Sequence, residues 1–273
     1  MQQVTRKTLG AGINLTCVTT PKFKRAVLRA MLVLPLGGED AALRACLPQV
    51  LRRGTARLND MQAFGTALDE LYGARIEAAV RKEGENLCIG FLSDCIDEAY
   101  APGADGLTAG VIGLLCDLLY NPYLQDGLFC AAYVEGERGN LIDRIAALKN
   151  DPRSWAPRRL NELMCENEDY GKSALGTIEQ AERITPETLY AAYRCALSEA
   201  QVELFYCGTM MPDEVEARFM ATPLAQPREG TLYQPHTVVQ ARPAGDVREV
   251  VEDAEVTQGK LSLGFRTGGA SLT

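Results

Sequence analysis

The sequence predicts an α+β protein, and three stretches lead to that class. Ala26 to Pro35 is a nearly continuous apolar run, the pattern of a buried central strand. Ala74 to Arg81 and Asn86 to Ser93 flank Lys82-Glu83-Gly84-Glu85 as the two arms of a hairpin. Leu128 to Lys149 is a long amphipathic stretch ended by Asn150-Asp151-Pro152, which reads as a helix.

The other elements follow in chain order. Ile13 to Thr20 reads as a strand. Gly37-Gly38 turns the chain, and Glu39 to Arg53 has helical periodicity. Pro48 lies inside that helix, where it lacks an N–H and its ring meets the carbonyl of Arg44, so the helix is expected to start late or bend there. Asn59-Asp60 caps a helix that runs to Leu71 and stops at Gly73. Gly106 to Leu119 reads as a helix ended by Asn121-Pro122. A further helix follows the long one to about Cys165. Thr185-Pro186-Glu187 opens another, with Thr as cap and Pro at the first helical position. Gln201 to Cys207 reads as a strand and Pro212 to Met220 as a short helix.

From Ala221 to Gly245 the composition changes. Pro223, Pro227, Pro235 and Pro243 punctuate polar sequence, which reads as a linker. Glu255 to Arg266 then reads as a strand that echoes Arg25 to Gly38. The expected division is a domain over residues 1–220, a linker over 221–245, and the start of a second, incomplete homologous domain over 246–273. A longer natural protein is expected.

Composition narrows the function. The chain has 273 residues, 47% of them hydrophobic, enough for one large core or two smaller ones. Its net charge of −8 argues against a nucleic-acid footprint. The longest apolar run, Ala109 to Leu119, contains Asp117 and is too short to span a membrane. The N-terminal MQQVTRKTLG has no apolar signal core. Nine cysteines, an odd number with no Cys-x-x-Cys, read as buried small hydrophobes in a reducing compartment, and a cytoplasmic location is expected. His236, the one histidine, lies in the linker and reads as a surface residue, which argues against a Cys-His or Ser-His enzyme. Glu135, Glu137 and Asp143 alternate with Arg138 and Arg144 and read as a salt-bridged solvent face. Gly37-Gly38 lacks the spacing and Lys of a phosphate loop.

Arg44 to Thr55 reads RACLPQVLRRGT. It resembles the zinc helix of an inverted zincin, where His-x-x-Glu-His precedes an apolar turn and Gly-Thr. There two imidazoles one turn apart hold the metal and the Glu activates water. Counting back from Gly54-Thr55, those positions hold Ala45, Pro48 and Gln49. Two further stretches match in order: MQAFGTALDELYGARIEAAVRKEGENLCIGF, and the long segment from EGERGNLIDRI through EDYGKSALGTIEQAERITPETLY to ELFYCGTM. Together the three resemble the pitrilysin/insulinase family of metallopeptidases, which includes the mitochondrial processing peptidase subunits. LPQVLRRGT, LYGARIEA and ERGNLIDRI resemble most its non-catalytic branch in Gram-positive bacteria, a branch associated with the 5-aminopentanol modification of elongation factor P.

The resemblance carries expectations. It implies a mixed, mostly antiparallel sheet with helices packed on it, as in the pitrilysin and mitochondrial processing peptidase half-domain. The family's third zinc ligand, a Glu seven residues after another Glu, falls on Arg144, while Glu137 retains the first of that pair. With Ala45, Pro48, Gln49 and Arg144 at the ligand and base positions, no metal, no other cofactor and no catalytic residue is expected. The implied function is an inactive subunit that holds or presents a peptide or protein substrate to an active, zinc-bearing homologue. The competing readings are a stand-alone peptide-binding or scaffold protein, and a residual zinc metallopeptidase.

Overall fold

The computed structural model describes residues 3–103, 105–228, 230–236, 247–253 and 257–266. In chain order its strands are β1 (Gln3–Gly10), β2 (Ile13–Thr19), β3 (Arg25–Pro35), β4 (Arg75–Glu83), β5 (Asn86–Ile96), β6 (Leu124–Gln125), β7 (Leu128–Phe129) and β8 (Gln201–Gly208). Its helices are α1 (Ala41–Leu51), α2 (Met61–Glu70), α3 (Leu107–Tyr120), α4 (Ala131–Ala147), α5 (Pro152–Met164), α6 (Ile178–Glu182), α7 (Pro186–Glu199) and α8 (Pro212–Met220).

Six strands form one sheet in the order β1-β2-β8-β3-β5-β4, and β6 pairs with β7 in a small ribbon. Only β2 and β8 run parallel; the other four pairings in the sheet are antiparallel. The apolar run of β3 is central because strands flank it on both sides, β5 and β8. Side chains alternate across a strand. Leu28, Ala30, Leu32 and Leu34 of β3 therefore join Leu15, Ile89, Phe91, Val202 and Leu204 in a core that includes residues of α1, α3, α7 and α8. The opposite face carries a small cluster of Met31, Val33, Ala79 and Cys88, against which Tyr233 packs. The Tyr233 hydroxyl donates to Asn86 Oδ1 at 2.8 Å.

The α+β class and the mixed, mostly antiparallel sheet stand as expected. Capping chemistry set several boundaries. Asp60 accepts from the Ala63 N–H at the start of α2, and Thr185 forms a capping box with Thr188 at the start of α7. β1 and α6 were not foreseen.

Two expectations are revised. Of the two effects expected of Pro48, a late start or a bend, the late start does not occur; α1 begins at Ala41 and continues through Pro48 to Leu51. Eight of its residues, Pro48 among them, are buried, and the Arg44 guanidinium bonds the Pro35 carbonyl at 2.8 Å. Tertiary packing thus outweighs the lost backbone bond. The strand expected over Glu255 to Arg266 is absent from residues 257–266, while Glu255 and Val256 lie outside the described residues. The described part has no neighbouring strand to pair with. Instead Arg266 forms a two-pronged pair with Glu168, at 2.5 and 2.9 Å. Upstream, Arg248 pairs with Glu166 at 2.9 Å and Glu252 with Arg159 at 2.5 Å.

Candidate functional site

α1 carries Ala45 and Gln49 one turn apart, so both project from one face. α4 carries Glu137, Asn140, Leu141 and Arg144 at spacings of three, four and seven, again one face. Where α1 lies beside α4, these residues and Asp143 line a pocket of about 390 Å³. Four of the five positions singled out in the sequence, Ala45, Gln49, Glu137 and Arg144, thus meet in one place. Pro48 is buried and is not among the lining residues.

The end of α1 is fixed by its neighbours. Arg52 Nε donates to the Ile76 carbonyl of β4 at 2.7 Å. After the helix, Thr55 N–H donates to the Leu58 carbonyl at 2.7 Å, and Leu58 N–H donates to Thr55 Oγ1 at 3.1 Å. A Cβ at Gly54 would stand 2.8 Å from the Leu58 carbonyl oxygen. This close approach requires glycine and accounts for the Gly-Thr that follows the helix.

Glu137 is the buried charge of the site, 8% exposed. Arg53 Nε donates to its Oε1 at 2.6 Å, and Asn140 Nδ2 donates to its Oε2 at 3.1 Å. The Arg53 guanidinium also lies 6.0 Å from the centre of the Tyr133 ring. Beneath the pocket, burial first and the Glu137 charge second push the Cys46 thiol up to about 12. It stays protonated at neutral pH and is a poor metal ligand. Arg144, by contrast, has no ion pair or hydrogen bond among the described residues.

The zinc ion that the family implies does not fit this donor set. A methyl group, an amide and a guanidinium stand at Ala45, Gln49 and Arg144, and both oxygens of Glu137 are engaged. Among the described residues no group of three or more His, Cys, Asp or Glu is placed to hold a metal. No helix among them is long and apolar enough to cross a membrane.

The solvent face expected on α4 is divided. Arg138 pairs with Glu135 at 2.6 Å and Glu137 turns inward, while Asp143 and Arg144 are exposed as expected and also line the open pocket. His236 is exposed and bonds only the Gln234 carbonyl, at 3.3 Å. Sequence reasoning missed Arg53 and Asn140; the only local signal was that Arg53 immediately precedes Gly54-Thr55.

No family model matches the chain. The Bacillus subtilis protein named "Probable inactive metalloprotease YmfF" is 31% identical over 262 residues, which is 96% of this chain and 61% of that protein. A conserved protein of Enterococcus faecalis superimposes with a TM-score of 0.76 at 24% identity, over 84% of this chain and 54% of the other. A peptidase M16 inactive domain from Pseudomonas fluorescens does so with a TM-score of 0.65 at 15% identity, over 86% of this chain and 53% of the other. The chain thus spans a little over half the length of these relatives. The chain is thus similar in sequence to a probable inactive metalloprotease, and its fold is that of a peptidase M16 domain.

Proposed function

We propose that the chain belongs to a non-proteolytic subunit that holds a peptide or protein substrate beside an active, zinc-bearing homologue, the two together enclosing a chamber. The observation that carries this reading is the pocket between α1 and α4. It keeps the concavity of a catalytic site, yet Glu137 is neutralised by Arg53 and no zinc-binding set of side chains lines it. The edge strand β4 supports the peptide-holding part. Its outer side has no strand partner among the described residues, and an extended peptide can add to such an edge.

In this reading Ala45, Pro48, Gln49 and Arg144 stand where the ligands and base would be. Residues 1–220 are the first domain, 221–245 the linker, and 246–273 the start of a second homologous domain. The setting is cytoplasmic, and the resemblance to the Gram-positive branch supports a pathway linked to elongation factor P modification.

The test is co-expression with a homologue that has an intact His-x-x-Glu-His motif. Expected are co-purification as a defined complex, zinc confined to the partner, and peptidase activity only in the presence of that partner. One zinc per chain in the isolated protein after dialysis would overturn the reading. A monomer that ignores the homologue but still binds peptide would favour a stand-alone scaffold.

A further inference from the structure

We propose that the pocket between α1 and α4 is a carboxylate seat anchored by Arg144. This rests on the peptide-holding reading above and names the chemistry that the pocket recognises. The group it takes is the carboxylate of a bound peptide, either its C-terminus or an acidic side chain.

Charge accounting within the pocket leads there. The buried negative charge, Glu137, is already matched by Arg53 and by the Asn140 amide. Neither Glu137 oxygen is free to draw a cation. Arg144 is left with a guanidinium that lines the cavity and has no partner among the described residues. Gln49 lines the same cavity, and its amide also bonds nothing among the described residues. A guanidinium offers its N–H groups as a planar fork matched to a carboxylate, and an amide N–H can add a further donor. Ala45 and Leu141 supply the apolar part of the wall, which suits the carbon atoms next to the carboxylate. The volume of about 390 Å³ holds one residue of a peptide, and no more than a short segment.

Asp143 lines the pocket as well and also lacks a partner among the described residues. It opposes a second negative charge. The seat therefore selects one carboxylate over a doubly charged group such as a phosphate.

The first experiment uses the whole chain and acetate as probe, with the Arg144 Nε–Hε resonance followed by NMR. A saturable shift is expected, lost in Arg144→Gln. No perturbation of Arg144 by acetate would overturn the proposal whether or not peptides bind. The second uses three alanine-glycine hexapeptides, each labelled at the N-terminus with the uncharged dansyl group, in anisotropy titrations. One has a free C-terminus, one is amidated, and one is amidated with a central Glu. A carboxylate-bearing peptide is expected to bind about tenfold tighter than the neutral one, as a charge-assisted pair implies. The first and third peptides tell the two carboxylate sources apart. Arg144→Gln should abolish the preference, while Arg144→Lys should keep part of it. Equal binding of all three peptides, or a preference that survives Arg144→Gln, would overturn the seat. Failure of every peptide to bind while acetate still shifts Arg144 would instead count against the peptide-holding function.

Discussion

Arg53 and Glu137 show how one side chain changes what a protease-like pocket can do. Glu137 is 8% exposed, and its charge is supported by Arg53 and Asn140. Removing Arg53 leaves that charge with a single amide donor. The cost of stranding a buried charge is about 3–5 kcal/mol, and the partial exposure of Arg53 lowers it to about 2 kcal/mol. Arg53→Ala should show this loss in urea unfolding, and the double variant Arg53→Ala/Glu137→Gln should regain much of it. The thiols make a second residue-scale case. Burial pushes Cys46, Cys88 and Cys95 up to about 12 and Cys17 and Cys116 to about 11, from an ordinary 9.0. In the unfolded chain these groups lose their protons first. Their contribution to stability is therefore complete below about pH 9 and is lost as pH rises toward 12. The urea midpoint should fall steadily across that window. In native protein near pH 8, Ellman's reagent should react first at Cys195, which is exposed, whereas Cys207 is half-buried and the other described cysteines are buried.

Helix caps were the most legible features at the scale of elements, because their chemistry is local. Thr185 and Asp60 each accept a backbone N–H three residues on, as their sequence contexts indicate. Thr185→Ala should cost about 1 kcal/mol by removing the side-chain half of the capping box, measurable by thermal unfolding. The meeting of Ala45, Gln49, Glu137 and Arg144 was legible for a similar reason. Spacings of four on α1 and seven on α4 place Ala45 with Gln49 and Glu137 with Arg144 on single helix faces, which meet at one pocket. What stayed hidden depends on partners far away in the chain. Arg53 and Glu137 are 84 residues apart, and no periodicity links them. β1 is an edge strand whose residues are largely exposed, so its alternation carries little apolar signal. The late start that Pro48 suggested for α1 does not occur, because propensity is a local term, while the eight buried residues of that helix act through tertiary packing. Leu261, Leu263 and Phe265 alternate as a strand does, yet all three are exposed, because nothing in the described chain offers them a surface.

At the scale of the whole molecule, residues 247–253 and 257–266 attach to α5 and the turn after it chiefly through charge. Arg248 meets Glu166, Glu252 meets Arg159 and the Trp155 indole N–H, and Arg266 meets Glu168. Of the large apolar side chains in the same segments, Val247, Val251, Leu261, Leu263 and Phe265 are at least 74% exposed, and Val250 is 45% exposed. An attachment that buries charge pairs at a surface and leaves its hydrophobes in water is sensitive to salt. Lowering pH weakens it too. The hydrogen bond from Arg159 holds the Glu252 carboxyl below its ordinary 4.5, so the contact is intact above that value and fades as pH falls through the lowered range. In limited tryptic digestion at neutral pH, cleavage after Lys260 should therefore quicken as salt rises from about 0.1 M to 1 M, where the screening length shrinks from about 10 Å to about 3 Å. Cleavage within β3 or β5 should not change over the same range. Glu252→Gln should reproduce the high-salt pattern at low salt. If a second domain continues from this segment, a longer chain should be protected at Lys260 at both salt concentrations, because Leu261, Leu263 and Phe265 would then be packed rather than solvated. A digestion rate at Lys260 that ignores salt in the present chain would mean that the ion pairs do not hold the segment in place.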